Sequence, residues 1–308
     1  MTDAVLSNSR FDVYRSVTDK IILAIETGVD PCVMPWHALG GQITRPTNAA
    51  TGAAYRGINV VALWAEATLA GRRSGQWASY RQWQHLGAQV RKGEHGTIIV
   101  FFKEVEREDF GEPNGEVDRP KLIARASRVF NAEQVDGWEG AETKPSESVE
   151  TIAEVLGLVL ATNADIRHGA EMACYRRVGD YIEMPDPGRF CGTPTSSPTE
   201  SYYAVLLHEL THWTGAAHRL DRQFGERFGD AAYAMEELVA ELGASFLCAD
   251  LRITNEPRPD HAAYIQSWLE VLKNDRKAIF IAAGKASLAA DFLNMNSVKS
   301  ALILAGII

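Results

Sequence analysis

Ser201-Tyr202-Tyr203-Ala204-Val205-Leu206-Leu207-His208-Glu209-Leu210-Thr211-His212-Trp213 is the stretch on which the fold turns. Its apolar residues Tyr202, Val205, Leu206, Leu210 and Trp213 recur at near-helical spacing, which predicts a helix. On that helix His208 and His212 lie four apart, so both imidazoles leave one face about a turn apart, within reach of a single metal ion. Glu209 sits next to the first histidine and cannot take the same coordination position. It is placed instead to accept a proton from water at that position, whose pKa a metal lowers towards ~7.

The pattern is H-E-x-x-H, which on a helix marks zinc metallopeptidases. A bland His/Glu solvent face also satisfies so short a pattern, and two downstream features bear on the choice. The first is a second helix, predicted over 233–247, that places Glu237 and Glu241 on one face among the small residues Ala240, Gly243 and Ala244. A catalytic zinc takes three protein ligands and keeps one position open, so Glu237 is read as the third ligand. Glu241, a turn on, then accepts the free N–H of a ligating histidine and fixes its tautomer. Exchanging those two roles, or using Glu236, fits the same spacing. The second feature is Gly215 and His218, which complete H-E-x-x-H-x-x-G-x-x-H and offer His218 as the alternative third ligand. The Glu-rich helix, which the three-histidine plan does not require, and the lack of a methionine turn weigh towards Glu237.

With 308 residues the chain has room for two domains. No basic start followed by an apolar run suggests a leader, and no segment approaches the ~20 apolar residues of a membrane span. Cys32, Cys174, Cys191 and Cys248 are scattered without a C-x-x-C pair, which argues against a cysteine metal site or a disulfide framework. The expectation is a cytoplasmic protein with no membrane partner. The formal net charge of -9 hides a local reversal: between Arg45 and Lys103 eight basic residues face only Glu66 and Glu94. Such a patch attracts phosphate.

Along the chain, helices are predicted at 10–27, 57–68 and 80–85, a turn at 90–96, a strand at 97–103, an acidic loop at 104–120 and a return strand at 122–131. This is a small α+β domain over residues 1–138. Residues 139–150, with Gly140, Pro145 and Ser146, have linker composition. The second domain, 151–308, is predicted mostly helical with a short sheet: a helix at 148–162, strands at 172–177 and 181–184 around a Gly179-Asp180 hairpin turn, and helices at 201–214, 231–249, 260–283 and 287–292. A strand beside the active helix is placed to hold a substrate backbone by strand addition.

Within the basic stretch, aromatic rings alternate with cations. Trp36, Tyr55, Trp77 and Trp83 stand among Arg45, Arg56, Arg81, Arg91, Lys92 and Lys103, with Tyr80 beside Arg81. A single-stranded nucleic acid stacks its bases on such rings, worth ~1–3 kcal/mol each, while the cations track its backbone. The competing reading is that tryptophans of a small domain form its core, as Trp64 on an apolar helix does.

Several runs, in order, resemble the ArdC-type antirestriction family. Arg10-Phe11-Asp12-Val13-Tyr14-Arg15, Pro35-Trp36, Pro46-Thr47-Asn48, Tyr55-Arg56-Gly57-Ile58-Asn59, Arg91-Lys92-Gly93-Glu94-His95-Gly96 and Phe130-Asn131-Ala132-Glu133-Gln134 resemble its N-terminal domain. His208-Glu209-Leu210-Thr211-His212-Trp213-Thr214-Gly215 and the run from Glu236 to Gly243 resemble its zincin-like metallopeptidase domain. The resemblance implies a protein of conjugative plasmids and other mobile elements that binds single-stranded DNA and shields incoming DNA from host restriction. It also implies Zn²⁺, or another divalent metal, on His208, His212 and Glu237, with Glu209 catalytic and Glu241 behind the ligands. A protein substrate or a component of a restriction system is an implied partner. Two further readings stand beside this one: a DNA-binding protection protein whose metal site is structural or vestigial, and an ordinary cytosolic zinc peptidase.

Overall fold

The chain enters its first helix at Asp12, whose carboxylate accepts the Arg15 amide at 3.1 Å. That helix, α1 (Val13–Glu26), turns Val17, Ile21, Ile22 and Ile25 inward, the stripe their spacing predicts. The computed structural model describes residues 12–27, 34–37, 44–105, 121–139, 148–193, 196–222, 224, 231–254 and 261–304. The N-terminal half continues through β1 (Thr47–Asn48), α2 (Ile58–Ala70), β2 (Gln76–Ala78), α3 (Tyr80–His85), β3 (Gln89–Val90), β4 (Thr97–Val105), β5 (Lys121–Asn131) and β6 (Val135–Asp136). The C-terminal half holds α4 (Ser148–Thr162), β7 (Asp165–His168), β8 (Cys174–Arg176) and β9 (Tyr181–Met184). It ends in four helices, α5 (Pro198–Thr214), α6 (Ala231–Asp250), α7 (His261–Asn274) and α8 (Ala278–Leu304). The class is α+β, with a C-terminal half dominated by helices.

The first sheet has the order β1-β2-β5-β4, with β4 and β5 antiparallel from Thr97 opposite Val129 to Val105 opposite Lys121. The second has the order β7-β9-β8, β7 parallel and β8 antiparallel to β9, so β8 is an edge strand. The turn between β8 and β9, residues 177–180, puts both Gly179 and Asp180 at positive φ. β7 was not anticipated: only Ile166 and its neighbours mark it, and three of its four side chains are exposed, so no alternation shows. The acidic loop and the linker fall largely on residues outside those described.

One hydrophobic core runs through both halves. It gathers Val17, Ile21, Trp36, Val60 and Trp64 from the first half with Leu206, Leu210, Phe246, Trp268 and Ile279 from the second. Polar ties cross the same seam: Thr18 donates to the Arg276 carbonyl at 2.7 Å, and the Gly57 amide to Ser287 at 2.8 Å. The sheet of the first half keeps a separate cluster around Ala78, Trp83, Val90 and Val135. The helices read at 260–283 and 287–292 are instead α7 and a long α8, separated by a turn in which the Asp275 carboxylate accepts the Lys277 amide at 2.8 Å. The window Ala278–Met295 of α8 is long and apolar enough to pass as a membrane span, against the sequence expectation. Its apolar residues Ile279, Ala282, Ala283, Ala286 and Leu293 are spent on the shared core.

Candidate metal centre and nucleic-acid surface

α5 starts with a capping box: Ser197 accepts the Glu200 amide, and Glu200 in turn accepts the Ser197 amide at 2.9 Å, with Pro198 opening the helix. The helix carries His208, Glu209 and His212 into the interior, where all three are buried. α6 crosses it closely. A Cβ on Gly243 would lie 2.5 Å from Thr211 Cγ2, so only glycine lets the two helices meet at this distance.

The crossing brings Glu237 between the two imidazoles. Its Oε2 lies 3.6 Å from His208 Nε2 and its Oε1 3.4 Å from His212 Nε2. One ligand atom from each of the three residues falls within 4.8 Å of the others. Ligands about 2.0–2.1 Å from a tetrahedral zinc are themselves about 3.4 Å apart, so the spacing suits such an ion. Each imidazole has a carboxylate behind it. His212 Nδ1–H donates to Glu236 Oε1 at 3.2 Å, so once the ring gives up its second proton the lone pair a metal needs is on Nε2. Glu236 is held in turn by the buried Arg222, whose Nη2 and Nε lie 2.8 and 3.1 Å from its two oxygens. His208 Nδ1 is buried, makes no hydrogen bond, and faces Glu241 Oε2 at 3.6 Å. That orphaned nitrogen is itself an argument for a ligand on Nε2, since a metal there keeps the proton on Nδ1, aimed at Glu241.

Burial works against charge on His212, but the Glu237 charge and the bonds from Glu236 and Glu237 outweigh it and lift the imidazole to about 10. Burial also opposes ionisation of Glu237, yet the His212 and His208 contacts hold its carboxyl well below the usual range. Glu209 Oε2 accepts the backbone amide of Tyr175, on the edge strand β8, at 2.8 Å. Tyr233, one turn before Glu237, has its phenol raised by burial first, then by the Tyr264 hydroxyl and the Glu237 charge. Of the three donors that residue type alone suggests near the site, Tyr203, Tyr233 and His218, the contacts place Tyr233 beside Glu237.

His218 does not join the cluster. It is 65% exposed and turned to Asp180 at 3.3 Å. Gly215, which ends α5, has φ -79 and needs no left-handed conformation. It is glycine for room: a Cβ would lie 2.8 Å from Arg222 Nη2. Sequence reading left Glu236 as one option among several and missed Arg222 and His37. His37 donates to Glu241 across 204 residues, and no local pattern encodes that contact.

The N-terminal residues read as nucleic-acid contacts part company. Trp36, Trp77 and Trp83 are 0%, 1% and 0% exposed and cannot stack on bases. The Trp83 indole donates to the Phe130 carbonyl at 3.0 Å, and Trp77 packs with Leu63 and Val129. The competing core reading wins: Trp36 fills the shared core, and Trp77 and Trp83 fill the smaller clusters of the N-terminal sheet. Arg45 is a strut between halves, bonded to Asp250 at 3.0 Å and lying over the Phe246 ring. Tyr55 is half-buried with its hydroxyl against the Trp77 carbonyl, and Arg56 is paired with Asp291. Arg91 is engaged by Glu94 and by the Glu133 carbonyl. Arg81 and Lys92 are exposed, while the Lys103 side chain lies outside the described residues. The exposed rings are others: Tyr80 at 43%, Phe101 and Phe102. Tyr80, Gln89, Arg91, Lys92 and Phe130 line an open pocket of about 480 Å³.

Comparison with known proteins agrees with this layout. Residues 11–130 match the N-terminal domain of the anti-restriction factor ArdC, and residues 153–285 match a zincin-like metallopeptidase family. An uncharacterised protein of Sinorhizobium fredii, y4eC, is 46% identical over 287 residues, 92% of each chain. The DNA primase TraC of Escherichia coli is 35% identical over 293 residues, which are 90% of this chain but 19% of the primase. The crystal structure of antirestriction protein ArdC from plasmid R388 superposes with a TM-score of 0.74 at 42% identity in its metal-free form, over 94% of this chain and 99% of that one. Its Mn(II)-bound form gives 0.73 at 41% identity, over 93% and 98%. Identity at this level over nearly the full length of both chains leaves one conclusion: the protein belongs to the ArdC family of antirestriction proteins.

Proposed function

We propose that this protein binds single-stranded DNA through its N-terminal half, residues 1–138, and shields incoming mobile-element DNA from restriction in the cytoplasm, with a peptidase centre in residues 151–308. The observation that carries the enzymatic part is the convergence of His208, His212 and Glu237 within 4.8 Å, with Glu209 on the same helix turn. Two imidazoles and one carboxylate are the donor set of catalytic zinc, and Mn²⁺ fits it as well. When bound, the ion supplies Lewis-acid polarisation of a carbonyl and acidifies water.

The chain's own residues do the rest. Glu209 takes the proton from the attacking water and passes it to the leaving amine, and the Tyr175 amide holds its carboxylate in place for both transfers. The phenol of Tyr233, kept protonated well above its ordinary range, donates to the oxygen that gains negative charge. Glu236 and Glu241 hold the imidazoles. Edge strand β8 lies beside the site, with backbone groups available for an extended peptide. The substrate class is therefore a polypeptide, such as a component of a restriction system. On the DNA side the interface centres on Tyr80, Arg81 and Lys92 rather than on the tryptophans.

A second reading has its own support: His208, Glu209, His212 and Glu237 are all buried, as suits a metal that only braces the fold. Glu209→Gln separates the two. Under the peptidase reading it lowers hydrolysis by about 10²–10⁴-fold with metal content unchanged. If antirestriction in cells survives that substitution in full, hydrolysis is not part of the protection.

A further inference from the structure

Glu241 carries two partners on its two oxygens, and one of them comes from the opposite half of the chain. Its Oε1 lies 2.6 Å from His37 Nε2, with both side chains buried. The tautomer of His37 follows from its other nitrogen. The Met34 amide donates to His37 Nδ1 at 2.9 Å, so Nδ1 carries the lone pair and Nε2 the proton. His37 is thus a neutral donor to Glu241, not the cation of an ion pair. The Glu241 Oε2 atom then faces His208 Nδ1 at 3.6 Å, the buried nitrogen without a hydrogen bond.

The short segment carrying His37 has its own anchors. Met34 and Trp36 are buried in the shared core, the His37 amide donates to the Met34 carbonyl at 2.9 Å, and Thr68 of α2 donates to the Pro35 carbonyl at 3.5 Å. Residues 34–37 therefore form a tight turn seated between α2 and α6, with its one polar side chain delivered to the metal centre. A carboxylate that must receive a proton-bearing nitrogen from a ligating histidine is oriented by whatever holds its other oxygen.

We propose that His37 is a positioning residue of the metal centre: its Nε2–H fixes Glu241, Glu241 orients His208, and metal loading and the seating of the Met34–His37 turn stabilise each other. The inference rests on the metal reading of His208, His212 and Glu237. It makes the centre a device shared by both halves, so the ion reports on whether the N-terminal half is docked. Coupling of this kind is reciprocal: what tightens the metal through the turn also tightens the turn through the metal.

The test uses the full chain, with Zn²⁺ and Mn²⁺ as probes in competition against a chelator. His37→Asn keeps an acceptor for the Met34 amide but is too short to reach Glu241. His37→Gln places an amide N–H where Nε2–H was. The expected result is a metal affinity about 10–100-fold weaker for His37→Asn, while His37→Gln stays within about threefold of the unsubstituted protein. A purely structural role predicts no such split, with stability lowered by either substitution and affinity unchanged; equal affinity of a folded His37→Asn overturns the proposal. Hydrogen exchange on the unsubstituted protein supplies an arm that needs no variant: metal should slow exchange at the Met34 and His37 amides by about tenfold or more. No change there, with metal bound, overturns it as well. If the unsubstituted protein binds neither ion, the metal reading itself falls and takes this inference with it.

Discussion

At the metal centre, side chains converge because two helices approach closely at Gly243, whereas on the N-terminal surface aromatic side chains are divided between core and solvent along short strands and a six-residue helix. Helical spacing states which residues share a face, so His208, His212, Glu237 and Glu241 were legible as a group before any fold was known. Whether a ring on a three-residue strand or a six-residue helix faces water depends on which neighbour covers it. Trp77, Tyr80 and Trp83 lie within seven positions and differ in fate: two fill the core and one is open to solvent. The difference teaches that composition locates a basic, aromatic region but not its working surface.

The comparison can be broken from either side. Trp83→Ala should cost about 3–5 kcal/mol of stability, read by urea unfolding, because it empties a buried site. A small loss there, with DNA affinity collapsing, would return Trp83 to the interface. Tyr80→Ala should leave unfolding almost unmoved and weaken binding of a short single-stranded oligonucleotide by about 1–3 kcal/mol in a low-salt titration. Unchanged binding would remove the pocket beside Lys92 from the interface. At the other region, Glu236→Gln should weaken divalent-metal binding about 10–100-fold, since it loosens the His212 tautomer that Glu236 and Arg222 hold.

The gentlest perturbation is one of pH. In the metal-free protein the His212 imidazole is lifted to about 10, so near neutrality it carries a proton that an incoming ion must expel. Apparent metal affinity should therefore rise about tenfold per pH unit from near neutrality up to about pH 9, measured against a chelator corrected for its own titration. A raised histidine favours the folded metal-free state fully below its ordinary value of 6.5, and that contribution is lost as pH rises through about 10. A flat affinity profile would mean that His212 is already neutral in the metal-free site.

Secondary structure shows the same division. α4 and β9 have the bounds their patterns predict, and α5 extends the predicted helix by only three residues, to a proline after a serine cap. The break between α7 and α8 was present in the sequence as the turn-forming pair Asn274-Asp275 but was hidden by apolar residues continuing on both sides. β7 carried too few apolar side chains to announce itself. Gly215 and Gly243 were visible as glycines, but the reason for each, Arg222 at one and Thr211 at the other, is a neighbour from elsewhere in the fold.

By itself the sequence determined what depends on local geometry: the H-E-x-x-H face of α5, the acidic face of α6, and the basic excess around Lys92. Only the tertiary structure decided that His218 stays outside the site, that Trp36, Trp77 and Trp83 are core, and that His37 reaches Glu241. The reason is range. Helical periodicity acts over a few residues and is written in their spacing, whereas burial and a hydrogen bond across 204 residues exist only once separate elements have packed.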